Sequence, residues 1–143
     1  MARLLPYLNF PGTTAEAMAF YHSIFGGEYT RSTFGEYGAV PEDSEDADRI
    51  MHAQIVSGEV RIMAADELPG VSPRVRDGDN VSMSLVGPEE ELLSGWFERL
   101  AEGGRVVMPL EVQVWGDRYG SLVDRFGVNW MVNIELPKPA AEA

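Results

Sequence analysis

Cysteine is absent, which excludes a disulfide framework, a thiolate nucleophile and a thiolate metal ligand. This suits a cytoplasmic protein, although it leaves the redox compartment open. Basic residues are scarce, 11 against 23 acids, for a formal charge of −12. That balance argues against nucleic acid, whose phosphates require clustered Lys and Arg, and against an anionic membrane surface. Long apolar runs are missing too, and MARLLPYLNF is cut by Pro6 before it could serve as the apolar core of a signal peptide. No GxGxxG occurs, so the strand, glycine loop and helix that cradle a nucleotide-like cofactor are not in view. The expectation is a soluble, unprocessed chain.

What is present suits one compact α+β domain: 143 residues, 45% of them hydrophobic. Residues 3–10 read as a strand. Thr13-x-x-Glu16 matches a capping box ahead of a helix in which Ala17, Phe20, Tyr21 and Ile24 share a face, and Gly26-Gly27 ends it. Strand patterns follow at 29–35, 49–57 and 59–65, the last two joined by the hairpin signal Ser57-Gly58. The acidic stretch from Gly38 to Asp48 lacks the alternating ligands and Gly of a calcium loop and reads as solvated.

The same order then recurs. A strand at 81–86 precedes Gly87-Pro88 and a helix over 89–102, whose expected apolar face is Leu92, Trp96, Leu100 and Phe97. Gly103-Gly104 ends that helix, and strands at 105–109, 117–124 and 128–135 complete the unit. Gly12 to Gly87 spans 75 residues and Gly27 to Gly104 spans 77, so two βαβββ modules lie in register. The expected layout is a single domain over 1–137, with module 1 at about 3–66, a linker at 67–79, module 2 at about 80–136 and a flexible tail over 138–143. With two helices for eight strands, one sheet face stays uncovered by helix, free for a ligand cavity or a partner subunit.

The stretch WGDRYGSLVDRFGVNWMVNIE at 115–135 is the most informative. Two alternating strands flank Asp124-Arg125-Phe126-Gly127, where Asp124 can accept backbone N–H groups and Gly127 can supply a positive φ. Trp130 alternates with Val132 and Ile134 as core does. This stretch resembles the end of the PhnB-like branch of the vicinal oxygen chelate superfamily, which includes glyoxalases, bleomycin-resistance proteins and dioxygenases. PYLNF at 6–10, AMAFYHSIFGGE at 17–28, IMHAQI at 50–55 and RVVMPL at 105–110 resemble the remaining blocks, in order and over nearly the whole chain.

The resemblance implies paired modules whose curved sheets enclose a cleft, a homodimer and a small-molecule ligand. It also implies a place to look for a divalent metal, held in some members by His, Gln or Glu of the first and last strands. Here the first-strand His falls near Pro6 and the terminal Glu on Met131, neither a ligand for a hard cation, so no metal is expected at that site. A one-residue shift would present Asn9 or Asn133, which are weak ligands. Similar sequences carry a demethylubiquinone methyltransferase label that nothing in the residues supports, and a phosphonate link rests on association alone.

In IMHAQI, Met51, Ala53 and Ile55 form one apolar face and leave His52 and Gln54 on the other. His52 is a candidate base, and the best candidate ligand if a divalent metal binds; the competing reading is a structural or solvent-facing histidine. Glu111 is the second catalytic candidate, on a loop whose closure over a cleft would bury it and raise its pKa. Tyr7, Asn9, Gln54, Trp115, Arg118, Tyr119 and Asn133 are expected to line the pocket, with Arg118 alternatively in a local ion pair. His22 reads as a surface residue and Asp124 as a turn former. Three functions fit: metal-free ligand binding in a dimeric cleft, metal-dependent lyase, isomerase or dioxygenase chemistry, and stoichiometric sequestration of the resistance type.

Overall fold

The computed structural model describes residues 2–138. Most of the expected tail, 139–143, lies outside the described residues. The chain divides between Arg76 and Asp77 into two compact units.

In the first unit, β1 (Tyr7–Phe10), α1 (Thr14–Phe25), β2 (Glu28–Thr33), β3 (Ile50–Ser57) and β4 (Val60–Asp66) build a four-stranded sheet in the order β1-β4-β3-β2. The β1–β4 pair is parallel and the others are antiparallel. The second unit repeats the plan with β5 (Met83–Gly87), α2 (Glu90–Ala101), β6 (Arg105–Val112), β7 (Arg118–Val123) and β8 (Asn129–Ile134), in the order β5-β8-β7-β6. Both sheets are open, and the α+β reading with two βαβββ modules holds.

Alternation along the strands decides which face each helix covers. Ala53, Ile55, Ile62 and Ala64 are at most 2% exposed and pack with Ala17, Met18 and Tyr21 of α1; Leu122, Trp130, Val132 and Ile134 do the same beneath Leu93, Phe97 and Leu100 of α2. The glycine after each helix is dictated by a close approach. A Cβ on Gly27 would run into the Val56 carbonyl oxygen, and one on Gly104 into the Val123 carbonyl oxygen, so each module needs the same bare backbone where helix returns to sheet.

Several local expectations are corrected. Pro6 has no N–H to donate, so β1 begins at Tyr7, with Leu4 fully exposed. The capping box does not form: the Thr13 side chain makes no cap bond. Instead Asp66, 7% exposed at the end of β4, accepts the Thr14 N–H through Oδ1 and the Ile50 N–H through Oδ2, both at 2.9 Å, tying helix start to sheet. On α2 the buried residue is Leu93, while Leu92 is 48% exposed. The 57–60 hairpin forms as expected, with Gly58 at φ 59°.

Candidate functional site

Because each helix takes one face of its sheet, the other face of each unit is free to present side chains. On the first unit, register places Tyr7 beside Met63, Asn9 beside Ala65 and Gln54 beside Met63, with His52 two residues from Gln54 on the same side. From His52 onward the predicted split of the IMHAQI strand is present, with Ala53 and Ile55 on the helix side and His52 and Gln54 on the open side; Ile50 and not Met51 joins the buried side, because the register slips by one residue at Met51.

The chemistry of this face centres on one contact. The Tyr7 hydroxyl lies 3.1 Å from His52 Nδ1, with ring centroids 5.8 Å apart, spanning β1 to β3 across β4. Partial burial pushes the Tyr7 phenol above its ordinary value, so at neutral pH it is protonated and able to donate. With the phenol donating, Nδ1 accepts and the neutral ring carries its proton on Nε2. The pair then offers an Nε2–H donor and the lone pairs of the phenol oxygen, flanked by the neutral amides of Asn9 and Gln54.

The open face of the second unit gathers a different set. Tyr119 pairs with Asn133 and with Glu111 across the two neighbouring strands. Trp115 meets Tyr119 edge-on at 5.7 Å and donates from Nε1 to Asn133 Oδ1 at 3.3 Å. Asn133 Nδ2 in turn donates to Asp117 Oδ2 at 3.1 Å, and Asp117 Oδ1 accepts Leu136 N–H at 3.3 Å and pairs with Lys138 at 3.1 Å. The hydrogen bond from Asn133, then that from Lys138, holds the Asp117 carboxyl below the usual carboxylate range. Both ends of the Asn133 amide are thus engaged. By register His52 and Tyr119 occupy the same position in their respective sheets, so the repeat places a hydrogen-bonding ring there twice.

Of the sequence-predicted residues, Tyr7, Asn9, His52 and Gln54 come together on the first unit, and Trp115, Tyr119 and Asn133 on the second. Arg118 does not join them: as the neighbour of Tyr119 in a strand it points to the helix side, its Nε 3.4 Å from Glu90 of α2. Glu111 is exposed on edge strand β6 and not buried beneath a loop, so the burial its role as base required is not there. His22 donates from Nε2 to the Gly27 carbonyl oxygen at 2.9 Å, just past the end of α1. Asp124 is 3% exposed and accepts Phe126 N–H, Val128 N–H and the Trp130 indole N–H, which confirms its turn role and extends it into the core.

Two acids escaped sequence reasoning, Asp66 and Asp117. For Asp66 a signal existed: Ile62, Ala64 and Asp66 at intervals of two put a carboxylate on the buried phase, where it must find donors. Asp117 precedes its strand and carried no such periodicity.

The donor set does not fit a divalent-metal centre at the first and last strands. Pro6 lies before β1 with its carbonyl accepting Met63 N–H, Met131 occupies the open face of β8, and Asn133 is committed to Trp115 and Asp117. Among the described residues no three His, Cys, Asp or Glu converge. Nor, among them, is any helix long and apolar enough to cross a membrane.

Comparison with known proteins agrees with this architecture. The family model of the Glyoxalase/Bleomycin resistance protein/Dioxygenase superfamily matches residues 4–132. Protein YjdN of Escherichia coli K12 is 28% identical over 95% of this chain and 97% of its own length. The crystal structure of protein PA1353 from Pseudomonas aeruginosa superposes with a TM-score of 0.79 at 37% identity, covering 96% of this chain and all of that one. The PhnB protein of Bacillus cereus superposes with a TM-score of 0.74 at 24% identity over 94% of this chain and all of its own.

Proposed function

We propose that this chain, which belongs to the Glyoxalase/Bleomycin resistance protein/Dioxygenase superfamily, binds a small uncharged molecule on the open face of β1-β4-β3-β2 without a metal at the superfamily's usual site. The observation that carries the reading is the Tyr7–His52 hydrogen bond on a face no helix of its own unit covers. An Nε2–H donor beside a phenol acceptor suits a ligand with adjacent acceptor and donor groups, such as an amide, lactam or enolised carbonyl, on a flat apolar frame that rests on Tyr7 and Met63. The neutral amides of Asn9 and Gln54 add orientation without charge. A net charge of −12 works against anionic ligands. The protein is further read as a homodimer acting in the cytoplasm.

The test is thermal-shift and calorimetric screening of neutral amides, lactams and phenols beside matched carboxylates. Neutral compounds are expected to raise Tm, with the effect lost in His52→Ala and reduced in Tyr7→Phe. Equal binding of the hits by His52→Ala and the parent would reject the site. Chromatography of a bound hit separates the two modes, since unchanged ligand marks sequestration and a new product marks turnover.

A further inference from the structure

On the second unit we infer a separate binding site for a small organic cation of the quaternary-ammonium class, built by Trp115, Tyr119 and Glu111 on the open face of β5-β8-β7-β6. It goes beyond the neutral-ligand reading of the first unit and does not rest on it. Residues 113–117 form the turn between β6 and β7, closed by Gly116 N–H on the Gln113 carbonyl at 2.9 Å and by Gln113 N–H on the Asp117 carbonyl at 2.8 Å. That turn brings Trp115 back over the sheet, where the bond from its Nε1–H to Asn133 fixes the indole against Tyr119. The two rings stand at 65° to one another as the walls of a corner, and Trp115 stays 50% exposed. Aromatic faces attract a cation through their quadrupole, and tryptophan does so best.

The carboxylate arrives by a register slip. Counting on from the pair Met108–Ser121, an unbroken ladder would set Leu110 opposite Tyr119; the irregularity between Met108 and Glu111 sets Glu111 there instead. Leu110 lies against Gly120, where an added Cβ would come within 2.9 Å of the Leu110 Cα. Residues directly opposite in a ladder hold their Cβ atoms about 4.5–5.5 Å apart, so a cation resting on Tyr119 is within reach of Glu111. Glu111 has no ion pair among the described residues. Cations of the unit are directed elsewhere: Arg118 lies beside Glu90 and Lys138 pairs with Asp117. Arg105 stands opposite Val123, four β7 residues beyond Tyr119 and so about 13 Å along the strand. The first unit supplies the contrast, since there Ser32 stands opposite His52 where Glu111 stands opposite Tyr119. One register thus carries a neutral face in one module and an aromatic, acidic face in the other. A quaternary nitrogen has no N–H to satisfy, which suits two ring faces and a single carboxylate.

The test is two-dimensional NMR of indole and backbone N–H groups with choline as the probe, against its uncharged isostere in which carbon replaces the quaternary nitrogen, at matched ionic strength. Choline is expected to shift the Trp115 indole and the Tyr119 amide at about tenfold lower concentration than the isostere. Glu111→Gln should weaken choline about threefold to fivefold and leave the isostere unchanged. Trp115→Phe, which gives up the Asn133 bond but keeps a ring, retains weakened choline binding, whereas Trp115→Ala loses it, each variant being checked for native circular dichroism. Equal affinity for choline and the isostere would overturn the assignment, as would choline that leaves Trp115 and Tyr119 unmoved. Choline binding unaltered by both Glu111→Gln and Trp115→Ala would overturn it too. The screen of neutral amides is scored on Tyr7 and His52, so either site can fail without the other.

Discussion

Replacing Asp124 by Asn should cost the second unit about 3 kcal/mol, and the structure indicates how that loss arises. The carboxylate accepts Phe126 N–H at 2.8 Å, Val128 N–H at 3.0 Å and Trp130 Nε1–H at 2.9 Å from a site 3% exposed. Hydrogen bonds to a charged acceptor contribute about 1.5–3 kcal/mol each. Asparagine keeps one oxygen for the two backbone donors of the turn but aims its NH2 group at the indole N–H, so one charge-assisted bond becomes a clash of donors. Against a typical total of about 5–15 kcal/mol the fold survives, with Tm lowered by about 10 °C. Urea unfolding followed by circular dichroism should show a lower midpoint at unchanged slope. The decisive arm is a double-mutant cycle with Trp130→Phe, which removes the indole donor: in that background Asp124→Asn should cost less, by about 1–2 kcal/mol. A cost of under about 0.5 kcal/mol for Asp124→Asn, or strict additivity in the cycle, would refute the reasoning.

The remaining predictions probe the repeat and the acid limb. Gly27→Ala and Gly104→Ala should each destabilise by about 2 kcal/mol or more, since a Cβ meets a backbone carbonyl, whereas Gly95→Ala, in α2 with open space around it, should stabilise by about 0.5–1 kcal/mol; thermal melts of the three variants decide. Asp117 titrates below its ordinary value in the folded chain, so its contribution is present above the unfolded pKa of about 4 and disappears as pH falls through the lower folded value. Asp117→Asn should therefore flatten the acid limb of stability below about pH 4, and an unaltered limb would contradict the assigned contacts.

The element order was legible because each module is punctuated by residues with a single physical use. Glycine pairs end both helices, Gly58 turns the 57–60 hairpin and Asp124 with Gly127 turns the last one. Alternation in IMHAQI fixed which side His52 takes, since burying Ala53 and Ile55 leaves it no choice. What stayed hidden was tertiary. Thr13 and Glu16 have the spacing of a capping box, but Asp66 arrives from 52 residues away from Thr14 with a charged oxygen and takes the helix start. The length of β6 and its two irregularities depend on pairing with β7, which no local pattern encodes. Arg118 and Tyr119 are both expected at the pocket, but the period of two in a strand puts them on opposite faces and leaves Arg118 beside Glu90 of α2. The Tyr7–His52 contact joins residues 45 apart through a parallel β1–β4 pairing, so only the folded sheet reveals it.

The most direct test of the account is two-dimensional NMR of the folded protein titrated with a panel of neutral amides, lactams and phenols, with histidine ring nitrogens observed alongside backbone amides. The account predicts that shifts from binding compounds cluster on Tyr7, Asn9, His52 and Gln54, and that the free protein shows His52 as the neutral tautomer protonated at Nε2. Shifts confined to the helix-covered faces, or binding that leaves His52 and Tyr7 unmoved, would contradict it.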